Sequence, residues 1–368
     1  MDILSHIALV FVPGLGNASI RKLIGLYPDE NLFALSKGDL ETVFGRHKGI
    51  AECIANRSTF ARAEQELTFC EKSHIRPLFF TDAAYPARLN RQETEDCPVL
   101  IYCLGDCDLN PERSVAVVGS RRATAQGRDN TCRMVRELAP WAPHIVSGLA
   151  YGIDSAAHTA ALDHGLPTVA VLGHGLDRIY PTANRPLAKR ILDNGGALVT
   201  EYTSGTAINP RYFPARNRII AALSDATLVV EASEKSGSLI TAAIAGSYQR
   251  EVFALPGRVT DPYSKGTNRL IARNRALLVQ DVRDIAFQMG WPIEEAPQTD
   301  AAKEAEHSLT EAEQQVIALL REHERMTLDE LTSHTGHTLA EMVSILFKIE
   351  MLGLVHTLPG HVYQVAHA

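Results

Sequence analysis

Loops rich in glycine and small hydroxyl residues follow several apolar runs in the middle of this 368-residue chain. They lie at residues 119–122, 147–152, 173–175 and 256–258. Glycine and small side chains let backbone N–H groups approach an anion closely. Each loop precedes a segment with a helical pattern, and the N-terminus of a helix adds a positive partial charge. This pattern predicts a rim that binds phosphate groups.

Arginines are concentrated in the same region, although the whole chain carries a net charge of −7. The basic residues are Arg121, Arg122, Arg128, Arg211, Arg216, Arg218, Arg258, Lys265, Arg269, Arg273 and Arg275. The segment 209–218 contains no acid and includes Tyr212 and Phe213. Guanidinium groups bind phosphates and aromatic rings stack on bases, so this combination suits a single-stranded nucleic acid. A solvated charged loop with a core phenylalanine has the same composition, and composition alone leaves both interpretations open.

Six short apolar runs predict the strands that position these loops. They are residues 115–118, 144–147, 168–172, 197–200, 227–230 and 251–255. Because the runs do not alternate with polar residues, the sheet should be buried on both faces. Right-handed crossovers then give an α/β fold with an extended, Rossmann-like, doubly wound parallel sheet. Ligands of such sheets bind at the carboxyl ends of the strands, which is where the arginine-rich loops lie.

Changes in composition divide the chain into four predicted segments. These are an N-terminal helical domain plus connector at 1–110, the Rossmann-like domain at 111–290, a linker at 291–307 and a C-terminal domain at 308–368. Two prolines and acids without apolar periodicity mark the linker. Near the N-terminus, residues 12–23 resemble a helix-hairpin-helix turn. Such a turn can offer N–H groups to a DNA phosphate, and a purely structural hairpin fits the pattern equally well.

The C-terminal segment shows the pattern of a winged helix, a fold that usually reads DNA. Three helices begin near Thr310, Thr327 and Thr338, and residues 354–365 form a hairpin that turns at 359–360. Its charge is unusual for a DNA reader, since three basic residues oppose eight acidic residues between 308 and 368. Such a surface repels phosphates. We therefore expect a protein-interaction module here, with at best weak DNA contact.

Several other function classes find little support in the sequence. The loop after the first predicted strand lacks the G-x-G-x-x-G pattern of dinucleotide-binding proteins, and no Walker A loop is present. The six cysteines show no C-x-x-C pair or zinc-like spacing. We expect no cofactor, no metal site and reduced thiols in a cytoplasmic protein. No apolar run approaches the ~20 residues that span a bilayer, so no membrane contact is expected.

The candidates for catalysis are also weak. Asp154 and His158 lie four residues apart on a predicted helix and could form an acid–base pair, but a helix-capping acid and a surface histidine fit better. Glu201 and Glu231 end predicted strands, where structural hydrogen bonding is favoured without a second paired group. The turn at 236–238 lacks a G-x-S-x-G elbow, so an anion-binding loop fits better than a nucleophile.

Seven motifs in the middle domain together resemble the DNA-processing protein A family, DprA or Smf. They lie at residues 117–121, 147–154, 170–177, 180–181, 213–220, 236–242 and 256–271. One departure stands out, because the family pattern usually continues with a glycine where this chain reads Arg-Asn-Arg-Ala at 273–276. The departure adds positive charge and puts the local turn geometry in question.

The resemblance implies a single-stranded DNA-binding protein that loads the RecA recombinase during natural transformation and catalyses no known reaction. It also implies a homodimer formed through the Rossmann domain and a sterile-alpha-motif-like (SAM-like) N-terminal module. The predicted DNA-binding residues are Gly119, Ser120, Arg121, Arg122, Ser147, Gly148, Arg211, Phe213, Arg216, Asn217, Arg218, Ser236, Gly237, Ser238, Lys265 and Asn268.

Two alternative functions remain from the sequence. A nucleotide-cleaving phosphoribohydrolase on the same sheet would need a Pro-Gly-Gly loop and a downstream glutamate, whereas Pro256 and Gly257 are followed by Arg258. A transcriptional regulator built on the winged helix is disfavoured by the acidic C-terminal segment.

Overall fold

The computed structural model describes residues 1–27, 31–45, 48–90, 97–292, 309–323, 325–351, 354–358 and 362–365. The chain forms two compact units, Met1–Trp291 and Pro292–Ala368. The predicted linker lies outside the described residues from position 293 onward. Among the residues described, no helix combines the length and apolar character needed to cross a bilayer.

A nine-stranded sheet organises the first unit. Its strands are β1 (Ile75–Phe79), β2 (Leu100–Leu104), β3 (Ser114–Gly119), β4 (His144–Ser147), β5 (Thr168–Val171), β6 (Ala197–Thr200), β7 (Ala226–Glu231), β8 (Glu251–Ala254) and β9 (Leu277–Leu278). The spatial order is β1-β2-β6-β5-β4-β3-β7-β8-β9. Strands β3 to β9 pair in parallel, whereas β2 is antiparallel to both β6 and β1. The six predicted strands are confirmed as β3 to β8.

Helices cover both faces of this sheet. They are α7 (Ala125–Glu137), α8 (Ile153–Asp163), α9 (Arg185–Asp193), α10 (Tyr212–Ala222), α11 (Ser238–Ser247), α12 (Lys265–Ala272) and α13 (Val282–Gln288). Within β3, Val115 and Val117 belong to the core with α7, α8 and α13. Ala116 and Val118 belong to the opposite core, with α10, α11 and α12. This division of alternate residues between two cores confirms the doubly wound, Rossmann-like architecture.

The N-terminal part of this unit is helical. It contains α1 (Ile3–Val10), α2 (Asn17–Leu26), α3 (Lys37–Phe44), α4 (Lys48–Ala55), α5 (Phe60–Lys72) and α6 (Ala87–Asn90). The turn between α1 and α2 contains Gly14 at φ +82°, where a glycine is unstrained. The predicted hairpin at 12–23 is therefore present, and its contact with DNA stays a prediction. Because β1 and β2 join the large sheet, residues on both sides of the predicted boundary at 110 share one sheet.

The second unit has the elements of a winged helix. They are α14 (Glu311–His323), β10 (Met326–Thr327), α15 (Leu328–Thr335), α16 (Leu339–Met351), β11 (Val355–Leu358) and β12 (Val362–Val365). The sheet order is β10-β12-β11. Met342, Leu346 and Ile349 of α16 are buried in the core of this unit. The predicted turn at 359–360 lies outside the described residues.

Candidate nucleic-acid interface

A cleft of about 670 Å³ opens where β3 and β7 end, at the point where the strand order reverses. Doubly wound sheets bind their ligands at this kind of switch point. The backbone joins the two strand ends directly, since the N–H of Ser120 donates to the carbonyl of Glu231 over 2.8 Å. The predicted residues that line the cleft are Gly119, Ser120, Arg121, Arg122, Phe213, Arg216, Asn217, Ser236, Gly237 and Ser238.

Two glycines permit close packing beneath the cleft. A Cβ atom at Gly119 would stand 2.8 Å from the Cβ of Ile153, at the start of α8. A Cβ atom at Gly148 would stand 2.6 Å from Nη2 of Arg216 and 2.7 Å from Oδ2 of Asp154. Real Cβ atoms do not approach heavy atoms this closely, so each position requires glycine in the present packing.

One wall of the cleft carries stacked aromatic rings beside an arginine. The guanidinium of Arg121 lies 5.1 Å from the centre of the Phe213 ring. The ring of Tyr180 stacks on Phe213 at 5.6 Å and is 43% exposed. Tyr151, which is 50% exposed, lines an adjoining cavity of about 40 Å³ together with these three residues. Tyr151 and Tyr180 were not among the predicted DNA-binding residues, although both lie within the motifs of the resemblance.

A serine-rich turn forms another part of the cleft. Its two hydroxyl groups, Oγ of Ser236 and Oγ of Ser238, lie 2.8 Å apart. Ser238 begins α11, a helix of 10 residues, so the partial positive charge of this N-terminus lies beside the cleft. The side-chain amide of Asn217 donates to the carbonyl of Gly237 at 3.5 Å and connects α10 with the turn.

Arg121 and Arg122 are the exposed cations of the cleft. Neither side chain forms an ion pair in the part of the chain that the structure describes. Their charge is therefore available to an anion that enters from solvent. Exposed guanidinium groups of this kind release counterions when they neutralise phosphates.

Arg216 has a different position, although it also lines the cleft. It is 3% exposed, and its Nη1 donates to the carbonyl of Gly148 at 2.6 Å and to the carbonyl of Val171. Burial lowers the pKa of its guanidinium to about 10, an effect that Asp154 partly opposes. Burial likewise raises the pKa of Asp154, against the attraction of Arg216. The predicted phosphate contact of Arg216 stays a prediction.

Arg218 lies outside the cleft lining and pairs with Glu201 at 2.6 Å. Burial disfavours the charge on Arg218, but the carboxylate of Glu201 outweighs it, so the pKa of the guanidinium is raised. The predicted structural role of Glu201 agrees with this ion pair. The charge that Arg218 was expected to present to DNA is matched by an internal carboxylate.

The remaining predicted residues lie beside the cleft or away from it. Ser147 is fully buried, and its hydroxyl donates to the carbonyl of Val117 at 2.7 Å. Gly148 lines the adjoining small cavity. Arg211, at the N-cap of α10, and Lys265, the first residue of α12, are exposed and absent from the lining of the cleft. Asn268 lies outside the lining as well and instead bonds both backbone groups of Gly257, at 3.0 and 2.9 Å.

Two of the candidate catalytic groups, His158 and Glu231, form hydrogen bonds within the fold. The expectation of a surface histidine is wrong, because His158 is fully buried and its Nδ1 lies 2.7 Å from Oγ1 of Thr168. Burial lowers the pKa of His158 to about 3, which keeps the ring neutral at physiological pH. The structural role of Glu231 is confirmed, since its carboxylate accepts the N–H of Thr124 at 3.1 Å and the hydroxyl of Thr124 at 3.0 Å.

Two known family models match the sequence of this chain. The model of a family described as DNA recombination-mediator protein A matches residues 76–290, which is more than half of the chain. The chain belongs to this family. A model of the DprA winged helix domain matches residues 300–361 and confirms the interpretation of the second unit.

Individual members of the DNA recombination-mediator protein A family show the same relationship. Protein Smf of Escherichia coli (strain K12) is 34% identical over 279 residues, which are 75% of this chain and 74% of that protein. The X-ray structure of DNA processing protein A from Streptococcus pneumoniae matches with a TM-score of 0.64 at 34% identity, covering 80% of this chain and 100% of the other. A structure concerning the single-stranded DNA binding mode of DNA processing protein A from Helicobacter pylori matches with a TM-score of 0.52 at 32% identity, covering 58% and 95%.

The departure at 273–276 leaves the turn of this family member intact. Asn274 has φ +52°, the left-handed conformation that glycine adopts most easily. Asparagine tolerates this region better than most residues with a side chain. Asn274 therefore allows the turn between α12 and β9 that a glycine would also allow. The arginines on either side of Asn274 are exposed.

Proposed function

We propose that this chain is a single-stranded DNA-binding recombination mediator that loads the RecA recombinase during natural transformation. The observation that carries the DNA-binding part is the cleft in which exposed Arg121 lies against the ring of Phe213. Membership of the DNA recombination-mediator protein A family supports the mediator role. The single-stranded DNA binding mode of the Helicobacter pylori relative supports the choice of ligand.

The proposed contacts divide into two kinds. Arg121 and Arg122 bind phosphates, together with the serine-rich turn at 236–238 and the N-terminus of α11. Phe213 and Tyr180 stack on bases, which an unpaired strand presents and a duplex conceals. Both kinds of contact lie in one cleft, so a strand can use them at the same time. This combination favours single-stranded over double-stranded DNA.

A binding role fits the carboxylates near the cleft better than hydrolysis does. A phosphoribohydrolase needs a carboxylate that is free to act on its substrate. Oδ2 of Asp154 accepts the N–H of Ala150 at 3.3 Å, and Glu231 is held by Thr124. We therefore propose that the protein catalyses no reaction of its own and uses no cofactor or metal ion.

Two further surfaces support protein partners. Leu277 and Leu278 of β9 are each 43% exposed at the edge of the large sheet, which suits homodimerisation through the Rossmann unit. On α16, Leu339, Val343 and Phe347 are exposed at a spacing of four residues. This apolar stripe and the acidic character of the second unit support a protein-interaction module. A mediator of RecA and single-stranded DNA would act in the cytoplasm.

Binding of fluorescent single- and double-stranded oligonucleotides of the same sequence, measured by anisotropy across a salt series, tests the proposal. We expect tighter binding of the single strand by the full chain. Each phosphate contact contributes about 0.7 to the slope of log K against log salt for single strands, so the double variant Arg121→Met, Arg122→Met should lose about 1.4. Arg190→Met, which changes an exposed arginine on α9, is the matched control.

Three outcomes would count against this proposal. Equal affinity for duplex and single strand would argue against base stacking, and an unchanged slope in the double variant would remove Arg121 and Arg122 from the site. Release of free base from nucleoside monophosphates by the purified protein would favour the hydrolase instead. The RecA step is tested separately by the ATPase activity of RecA on single strands covered with single-stranded DNA-binding protein, which the full chain should accelerate.

A further inference from the structure

Two of the residues that line the cleft, Arg216 and Asp154, are charged and buried, and both contact the loop at 148–152. Arg216 projects from α10, three residues after Phe213, and is 3% exposed. Its Nη1 donates to the carbonyl of Gly148, after β4, and to that of Val171, at the end of β5. One guanidinium therefore fixes the distance between α10 and the carboxyl ends of two strands.

Asp154 holds the same region from the other side. It is the second residue of α8, it is buried, and Oδ2 accepts the N–H of Ala150 at 3.3 Å. A Cβ added at Gly148 would stand 2.7 Å from Oδ2 of Asp154 and 2.6 Å from Nη2 of Arg216, so both side chains pack against this glycine. The two charges attract each other across this glycine. The loop at 148–152 is thus held between a buried cation and a buried anion.

The same loop contacts the backbone of Arg121. Gly152 has φ +80°, and a Cβ there would stand 2.8 Å from the carbonyl carbon of Arg121. A continuous set of contacts therefore leads from Phe213 through Arg216 and the loop at 148–152 to Arg121. These contacts connect the two residues whose side chains meet in the cleft.

The electrostatics of the buried pair differ from those of a phosphate ligand. Nη1 of Arg216 donates to two backbone carbonyls and Nε donates to Oδ1 of Asn217 at 3.3 Å. The negative charge of Asp154 offsets the positive charge of the guanidinium. Moving the guanidinium toward DNA would leave the carbonyls of Gly148 and Val171 without this partner. Arg121 and Arg122, by contrast, have no ion pair within the described residues.

We infer that Arg216 and Asp154 are positioning residues, which hold the loop at 148–152 so that Arg121 and Phe213 meet, and that Arg216 does not bind a DNA phosphate. The inference rests on the proposed single-stranded DNA binding. It assigns to Arg216 a role that sequence alone does not distinguish from that of Arg121, since both lie in arginine-rich motifs.

The first experiment compares Arg216→Met with Arg121→Met in the full chain, using an oligothymidine probe across a salt series. A positioning residue should lower the affinity at every salt concentration by about tenfold or more. The slope should stay unchanged, because Arg121 and Arg122 remain in the cleft as exposed charges that neutralise phosphates. A phosphate ligand should lower the slope by about 0.7. A slope for Arg216→Met that falls as it does for Arg121→Met would overturn the inference.

The second variant, Asp154→Asn, distinguishes the two roles by the sign of its effect. If Arg216 bound phosphate, removing the nearby negative charge should tighten DNA binding, because the cleft becomes more positive. Asp154 also attracts Arg121, so the change makes the cleft more positive in either case. If the two side chains position the loop, binding should nevertheless weaken, because the buried guanidinium loses its counter-charge and the loss of loop position outweighs the added positive charge. Tighter binding by Asp154→Asn contradicts the inference.

A third measurement needs no DNA and so separates this inference from the proposed function. Hydrogen exchange of the free protein should be faster at residues 148–152 in Arg216→Met and unchanged there in the control Arg190→Met. Thermal unfolding and circular dichroism establish that the variants fold. Unchanged exchange at 148–152 in a folded Arg216→Met protein would overturn the positioning role, whereas failure of the unaltered chain to bind single strands would overturn the proposed function alone.

Discussion

The guanidinium of Arg121 lies 5.1 Å from the centre of the Phe213 ring, although Phe213 follows Arg121 by 92 positions in the sequence. Tyr180, from a third loop, stacks on the same ring at 5.6 Å. A cation and two aromatic rings from three separate parts of the sequence therefore lie together in one wall of the cleft. A fixed arrangement of such side chains lowers the ordering cost of binding.

Replacing Phe213 with alanine should weaken single-strand binding and leave its salt dependence unchanged. Stacking of one base contributes on the order of 1–3 kcal/mol, which corresponds to a loss of about 5- to 150-fold in affinity. The slope should stay the same because the ring carries no charge. Anisotropy across a salt series measures both quantities.

The matched control is Phe287→Ala, because this ring is 78% exposed on α13 and does not line the cleft. It should bind as the unaltered chain does. An oligonucleotide with 2-aminopurine reports stacking directly, since its fluorescence is quenched against a ring. Persistent quenching in Phe213→Ala would show that this ring is not the stacking platform.

The strands that sequence could predict are those buried on both faces. In β3 to β8 nearly every residue is buried and the polar residues lie mainly at the strand ends, so the apolar runs are continuous. The edge strand β1 contains Arg76 and Pro77, and β9 has only two residues, both exposed. Neither strand has a pattern that separates it from a loop, because pairing with a neighbour rather than burial defines it.

Ten of the predicted binding residues line the cleft, whereas the predicted rim loops at 173–175 and 256–258 do not. The sequence also could not assign the roles of the arginines. Arg121 and Arg216 both occur in loops or helix starts rich in glycine or aromatic residues. Their difference depends on distant backbone, since Arg216 bonds a carbonyl 68 residues away. His158 illustrates the same limit, because its buried ring contacts Thr168, the first residue of β5. Local patterns contain no information about such partners.

Alanine at Gly148 should destabilise the protein, whereas alanine at Gly237 should be tolerated. A Cβ at Gly148 would overlap Arg216 and Asp154, and overpacking of this kind costs about 1–3 kcal/mol. A Cβ at Gly237 would have no heavy atom within 4 Å. The two positions are comparable, because Gly237 lines the cleft and Gly148 lines the small cavity beside it. Urea unfolding of the two variants measures the difference. Equal stability would mean that the floor of the cleft is not packed as described.

Charges introduced at Leu277 and Leu278 should dissociate the proposed homodimer. Lysines at an exposed strand edge oppose pairing with another chain, since they would need to be buried without a partner. Sedimentation velocity should show a dimer for the unaltered chain and a monomer for the double variant Leu277→Lys, Leu278→Lys. The control Val259→Lys changes another exposed apolar residue of the same unit. A dimer that survives the double variant would place the interface elsewhere.

The helices of the second unit should lose stability as the pH falls below the ordinary range of glutamate. Glu330 accepts the N–H of Thr327 at 2.7 Å and Glu341 accepts that of Thr338 at 2.8 Å, and these backbone bonds lower the pKa of both carboxyls below 4.5. The folded state therefore holds fewer protons than the unfolded state. The stabilisation is complete above pH 4.5 and disappears as the pH falls through the lowered pKa values.

Hydrogen exchange of α15 and α16, corrected for its intrinsic pH dependence, should accelerate over this range, and the double variant Glu330→Gln, Glu341→Gln should show a smaller change. Equal pH dependence in the variant and the unaltered chain would exclude these capping carboxylates as its source.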